Sequence, residues 1–426
     1  MTDAMPVGDR KPLAPPVDDT GMIGWARKNL FSSWGNGITT VVLIAAVLWV
    51  MSWFLEWALF TANFTASTGS ECRGGGACWA LIREKFRYIF FGSFPYEQHW
   101  RPLFAVITML AMLVLSADRR MWNSRLIVIW GVGSFITFLL MFGQIHIPLS
   151  LILFVALVGG AAGLAMRSAL ATPTERMAYY ALIGIGVVGL VLRIAGLLPK
   201  WSIAIAPLSY VETSLWGGLP VTLILATYGL ALAFPYGVLL ALGRRSNLPL
   251  IKGLCVGFIE LIRGVPLISL LIMASVMLPL FLPSGTTIDK FLRALVAVTL
   301  FAGAYIAEVI RGGLQSLPKG QFEAADAMGL NYSQKTLLII LPQALRVVIP
   351  PLINTFIGFF KDTSLVLIIG IFDFLNTANQ ALVDPNWAGF PGEVYLFAAF
   401  VYFIFCFSMS RYSKYLEVEL NKGTRR

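Results

Sequence analysis

Apolar residues in this chain come in long unbroken runs rather than in the alternation of a half-buried strand or the spaced stripe of a surface helix. Several runs reach the roughly 20 residues that a helix needs to cross about 30 Å of hydrocarbon. Ten candidate spans follow, at 39–60, 102–118, 126–142, 148–168, 178–197, 215–243, 266–283, 291–311, 346–368 and 393–412. The pattern predicts an all-α polytopic membrane protein. A transmembrane barrel would need short alternating strands instead.

Composition agrees. The 426 residues are 58% hydrophobic and 13% charged, whereas soluble domains carry about 25% charged residues. The net charge of +10 does not point to nucleic acid, because membrane proteins concentrate Lys and Arg in cytoplasmic loops. With the N-terminus inside, the inside segments hold most of these residues, among them Arg119, Arg120, Arg125, Arg244, Arg245, Lys252 and Arg263. The outside segments hold fewer, including Arg73, Arg83, Lys85, Arg87 and Lys290. That bias places both termini in the cytoplasm, in keeping with an even number of spans. Residues 1–38 lack the apolar core of a signal peptide and read as a disordered cytoplasmic tail. Residues 39–200 form an N-terminal transmembrane extension and 416–426 a cytoplasmic tail.

The longest outside loop, 61–101, holds Cys72 and Cys78. In an oxidising periplasm they either pair or remain free thiols. His99 and His146 have no ligand-like neighbours, so no metal site is expected. Gly159 with Gly163, and Gly184, Gly186 and Gly189, read as places where helices approach closely.

The chemistry lies in the second half. The polar inside segment from Arg311 to Arg346 reads as two short helices. QFEAADAM is rich in helix formers, Gly329 suits a left-handed residue after a helix, and Asn331 with Gln334 resembles a capping box. Pro342 marks an end or bend. Ala324, Ala325 and Ala327 would let another protein come close, and Glu323 and Asp326 offer acceptors for a basic partner. The alternative is an ordinary loop with chance helicity.

Glu323, Ala324, Ala325 and Gly329, with Ile339, Leu341 and Pro342 at their spacings, resemble the EAA loop of ABC importer permeases. ELIRGVPL from Glu260, AYIAEVIRGGLQSLPKGQ from Ala304 and KDTSLV from Lys361 resemble polar amino-acid permeases. The likeness covers about 215–415. The longer form, with its extra N-terminal half, is most similar to the larger permease of general L-amino-acid (glutamate, glutamine, aspartate, asparagine) transporters. The resemblance implies a type I importer membrane domain, with core 210–415 and the EAA loop at 312–345, in the bacterial inner membrane. It implies that Glu323, Ala324, Ala325, Asp326, Gly329, Leu341 and Pro342 dock a separate ATPase. It also implies a homologous second permease, two ATP-binding subunits and a periplasmic amino-acid-binding protein. ATP and Mg would then bind in the ATPase, since this chain has no GxxxxGK[ST] loop. No cofactor and no catalytic residue are expected here.

LIKGLCVGFIELIRGVPL reads as an amphipathic elbow, with Glu260 and Arg263 able to pair and Gly264 and Pro266 breaking the helix. Packing is the plain reading; a part in gating is the other. Charges at membrane depth cost about 2.5–3.5 kcal/mol on insertion scales. Lys361 and Asp362, followed by Thr363 and Ser364, either neutralise each other or line a path for a zwitterion. Glu308 either snorkels or pairs with Arg311. An ion-coupled secondary transporter is the competing reading, but its usual related halves are not visible. A membrane enzyme would need an acid–base pair beside a nucleophile, and none can be assembled.

Overall fold

The computed structural model describes residues 21–122, 124–148, 153, 157, 173–194, 202–205, 207–283 and 288–421. It divides into two compact units, Met1–Arg83 and Glu84–Arg426.

In the first unit, α1 (Met22–Asn29) and α2 (Trp34–Leu55) lie within or beside the stretch expected to be a disordered tail. Ser33 caps α2 by accepting from the Asn36 N–H, so the span starts at Trp34 rather than at residue 39. No residue of α2 is buried. That suits a helix whose solvent is lipid, because apolar side chains gain nothing from leaving hydrocarbon. A wider turn, Glu56–Phe60, ends it. Below it Cys72 and Cys78 are disulfide-bonded, with Cα atoms 5.6 Å apart. The Trp79 indole N–H donates to Ala58 O at 2.7 Å and closes the same loop.

α3 (Ala80–Phe91) runs across the unit boundary. The second unit continues with α4 (Trp100–Ala117) and α5 (Ser124–Phe142). β1 (Ile145–Pro148) pairs antiparallel with β2 (Ser202–Ile205), and α6 (Pro173–Ile194) falls between them. This two-stranded ribbon departs from the expected span starting at 148. Most of 148–168, with Gly159 and Gly163, lies outside the described residues. A Cβ on Gly186 or Gly189 would collide with Leu157 or Leu153, as close packing requires, but Gly184 faces open space.

Five further stretches build the core: α7 (Gly218–Arg244), α8 (Pro249–Gly264), α9 (Leu267–Ile272), α10 (Lys290–Ser316) and α11 (Lys319–Ala327). They are followed by α12 (Leu341–Asp362), α13 (Phe374–Gln380) and α14 (Pro391–Asn421). α14 runs on to Asn421, into the stretch expected to be a tail. Seven helices among the described residues are long and apolar enough to cross a membrane, with α8 and the Leu267–Leu280 segment forming a further pair bent by 105°. The expected elbow is this bend. α7 and α10 pack along their length, and Gly237 and Gly303 mark the crossing. A Cβ at Gly237 would sit 2.7 Å from Ile306 Cγ2, and one at Gly303 2.5 Å from Tyr236 Cδ1. With no hydrophobic drive between helices in lipid, such close approach supplies the packing.

The chain leaves the Gly218 end of this bundle along α7 and reaches the Arg244 end, where α8 and α11 lie. It returns to the Gly218 end through α9 and later through α12.

Candidate functional site

α11 stands out at the Arg244 end as a one-helix knob. Pro318 precedes it, where a missing N–H costs nothing. Gly329 turns the chain at φ 71°, a conformation that only glycine adopts without strain. Asn331 Oδ1 accepts from the Gln334 N–H at 2.9 Å and Gln334 Oε1 from the Asn331 N–H at 3.1 Å, a complete capping box. The second helix is not short, however. It passes through a wider turn, Lys335–Ile340, directly into α12, so that Tyr332–Ile369 is one span. Pro342 neither ends nor breaks it, because the wider turn just ahead absorbs the ring and the missing donor.

The knob's faces are unequal. Ala325 is buried against the chain, whereas Glu323, Ala324, Ala327 and Met328 are exposed. Asp326 is held by Lys335 Nζ at 2.5 Å, so Glu323 is the acceptor left for another molecule. Gln343 Nε2 donates to Gln321 Oε1 at 3.0 Å and ties α11 to the first turn of α12 beside Leu341 and Pro342. The Arg245 guanidinium lies 5.2 Å from the Phe322 ring and donates to Leu314 O, fixing the knob to α7 and α10.

The elbow's charges pair differently from the expectation. Glu260 does not meet Arg263; it accepts from Arg244 at 3.0 Å. Arg263 turns to Glu308 at 3.6 Å. Glu308 is bound by Arg311 at 2.5 Å, the expected partner, and also by Arg244 at 3.4 Å. Helical spacing shows which groups can meet within α8, but the partners on α7 and α10 lie closer. One carboxylate thus joins three helices at the Arg244 end.

Lys361 and Asp362 are the last residues of α12. The two are not in contact: among the described residues neither side chain forms an ion pair or a hydrogen bond, although the Lys361 charge acts on Asp362 across the gap. Lys361 is exposed, Asp362 and Ser364 are half-buried, and Thr363 is buried. Thr363 Oγ1 donates to Phe360 O at 2.8 Å and Ser364 Oγ to Lys361 O at 2.9 Å, which leaves the Ser364 oxygen free to accept, while the buried Thr363 hydroxyl lies against that of Tyr402. A half-buried carboxylate with no hydrogen bond is costly to keep, and the Lys361 charge offsets only part of that burial.

Sequence reading missed the cluster that anchors this segment. Asp373, fully buried, accepts from the Asn376 N–H at 3.0 Å and from the Tyr402 hydroxyl at 2.8 Å. Asn376 Nδ2 donates to Ser364 O at 2.8 Å. Thr222 Oγ1 accepts from the Phe374 N–H at 2.9 Å, tying α13 to α7. The available signal was an Asp three residues before Asn in DFLN, an ordinary helix N-cap. Nearby, on the connection after α13, the ammonium of Lys85 beside Asp384 holds its carboxyl below the usual carboxylate range.

A polytopic helical membrane protein with a protruding helical knob at one end and an unpaired charge pair at the other fits one class, the membrane subunit of a transporter. Comparison with known proteins gives the family. Residues 233–422 match the model of the binding-protein-dependent transport system inner membrane component. The chain is 44% identical over 405 residues to the inner membrane amino-acid ABC transporter permease protein YhdY of Escherichia coli, covering 94% of this chain and 93% of that one. It is 40% identical to the glutamate/glutamine/aspartate/asparagine transport system permease protein BztC of Rhodobacter capsulatus, over 97% of both chains. A crystal structure of an amino acid ABC transporter with histidines matches at 30% identity with a TM-score of 0.42, over 47% of this chain and 92% of that one. The chain belongs to the amino-acid ABC transporter permeases. Its fold is that of a type I importer membrane domain preceded by an extra helical half.

Proposed function

We propose that this permease imports polar L-amino acids of the glutamate and glutamine kind across a bacterial inner membrane, with both termini in the cytoplasm. The Arg244 end is then cytoplasmic. Glu323 and Ala324 of α11, with Met328 just after it, enter a groove of a separate ATPase subunit, with Glu323 accepting from a basic group there. ATP and Mg are bound by that ATPase, and this chain performs no catalysis. A homologous second permease, a second ATPase and a periplasmic binding protein complete the complex. Lys361, Asp362, Thr363 and Ser364 line the path, where opposite charges replace part of the hydration that a zwitterion loses on entering. Glu260, Arg263 and Glu308 hold the elbow closed at the inner end.

The observation that carries this reading is the knob itself: an exposed carboxylate on a short helix whose turn, cap and anchoring bonds all serve to hold it clear of the bundle. An ion-coupled carrier would have no use for it. Deletion of this chain alone from a strain that holds the other subunits should abolish uptake of labelled L-glutamine and L-glutamate, and a plasmid copy should restore it. Uptake that persists unchanged would overturn the proposal.

A further inference from the structure

Past Asp362 the chain leaves the α-helix and tightens into a 3₁₀ stretch, Thr363–Ile369. Hydrogen bonds within such a stretch have poorer geometry than those of an α-helix. Lys361, Asp362, Thr363 and Ser364 sit at this change of helix, so where they stand depends on what holds the turn from outside.

One bond does so directly. Asn376 Nδ2 donates to Ser364 O at 2.8 Å. The amide has a single workable orientation. Its Nδ2 and the Asn376 N–H both donate to Asp373 Oδ1. Turned over, it would set its oxygen against that carboxylate and against the Ser364 carbonyl, acceptor facing acceptor. Asp373 is fixed in turn, because Oδ2 accepts from the Tyr402 hydroxyl of α14 at 2.8 Å. The hydroxyls of Thr363 and Thr222 lie beside that of Tyr402. Thr377 Oγ1 accepts from the Gly218 N–H at 3.0 Å, which pins α13 to the start of α7 alongside the Thr222 bond.

Capping α13 does not account for this set. A helix N-cap needs one acceptor, and Ser or Thr supplies it. A carboxylate that is 0% exposed at membrane depth is a costly substitute. An ionised Asp373 does what a hydroxyl could not: it accepts at once from the α13 backbone, from the Asn376 amide and from Tyr402. The outcome is a rigid chain of bonds from α14 through Asp373 and Asn376 to the carbonyl of Ser364.

We propose that Asn376 is a positioning residue for transport, oriented by Asp373 and Tyr402, which holds Thr363 and Ser364 where a passing amino acid meets them. It rests on the import reading and on the Lys361–Ser364 path above, and adds the groups that keep that path in shape. Asn376 acts through Ser364 and does not touch the substrate.

The test is the number of L-glutamine molecules imported per ATP hydrolysed, in proteoliposomes holding the full complex with its binding protein. A defect of folding or assembly lowers uptake and ATP hydrolysis together and leaves that ratio unchanged. Asn376→Ala should lower the ratio at least about 5-fold, the equivalent of one hydrogen bond of roughly 1 kcal/mol, in a complex that purifies intact. Tyr402→Phe, which deletes one hydroxyl two steps from Ser364, should lower it less. The exchange Asp373→Asn with Asn376→Asp keeps one amide, one carboxylate and a good N-cap residue, but turns an acceptor toward Ser364 O. It should be as defective as Asn376→Ala. A wild-type ratio for Asn376→Ala, or for the exchange, would overturn the positioning role. So would failure of both to assemble, which would make the network structural. If Lys361→Met and Asp362→Asn also import normally, the path reading falls with it; if those two are defective while the Asn376 variants are not, only the positioning role falls.

Discussion

Arg263 of α8 reaches Glu308 of α10 at 3.6 Å, while Glu260, one turn away on its own helix, is taken by Arg244 of α7. The elbow is therefore held by charges on other helices and not by a pair within itself. Opening the Arg244 end by moving α8 must break both links.

That arrangement predicts coupling between Arg263 and Glu308. Each side chain keeps about a quarter to a third of its exposure, so solvent screens the pair, and its worth lies between that of exposed and buried ion pairs, about 1–2 kcal/mol. Glu308→Gln should lower the melting temperature of the purified complex more than Arg263→Gln, because it leaves two guanidinium groups, Arg263 and Arg311, without a carboxylate, while Arg244 keeps Glu260. A double-mutant cycle should show positive coupling for Arg263 with Glu308 and none for Arg263 with Glu260. Equal coupling in both cycles would contradict the geometry.

The knob predicts a docking defect. Glu323 is exposed and has no partner among the described residues, whereas Asp326 is already held by Lys335. Glu323→Lys should leave the chain inserted and folded but reduce its co-purification with the ATPase, since a repulsive charge replaces an acceptor. Asp326→Asn should have the smaller effect on docking. The readout is the ATPase-to-permease ratio after affinity purification, and a wild-type ratio for Glu323→Lys would count against the role.

How far the sequence went depends on whether the deciding contacts were local. Gly329, the capping box of Asn331 and Gln334, and the elbow at Gly264 and Pro266 are set by neighbours in the chain, and all were readable. The true partners of Glu260 and Arg263 come from other helices, α7 and α10, so spacing within one helix misled. The same holds for Asp373, whose burial depends on Tyr402. Pro342 was misread for a local reason: a wider helical turn can absorb a proline that a regular one cannot.

The bond between Cys72 and Cys78 predicts sidedness as well as redox state. A membrane-impermeant thiol reagent applied to intact spheroplasts should label neither residue until a reductant is added, and should then label both. Labelling without reduction would contradict the bond, and labelling only after the membrane is opened would contradict the periplasmic placement of the loop.

The unpaired charges ending α12 predict a transport defect without an assembly defect. Asp362→Asn and Lys361→Met should each cut uptake at least about 10-fold, the effect of losing roughly 1.4 kcal/mol along the path, while the complex purifies intact. If single variants fail to assemble and the double neutral variant assembles and transports, the two residues serve as a structural pair instead.

The central claim is that this chain moves amino acids only when an ATPase acts on it through α11. The most direct measurement is uptake of labelled L-glutamine into proteoliposomes holding the full complex, with binding protein on the substrate side and ATP on the ATPase side. Uptake should require both, should be insensitive to collapse of proton and sodium gradients, and should fall with Glu323→Lys in step with the loss of bound ATPase. Uptake that proceeds without ATP and stops when an ion gradient is collapsed would contradict the account.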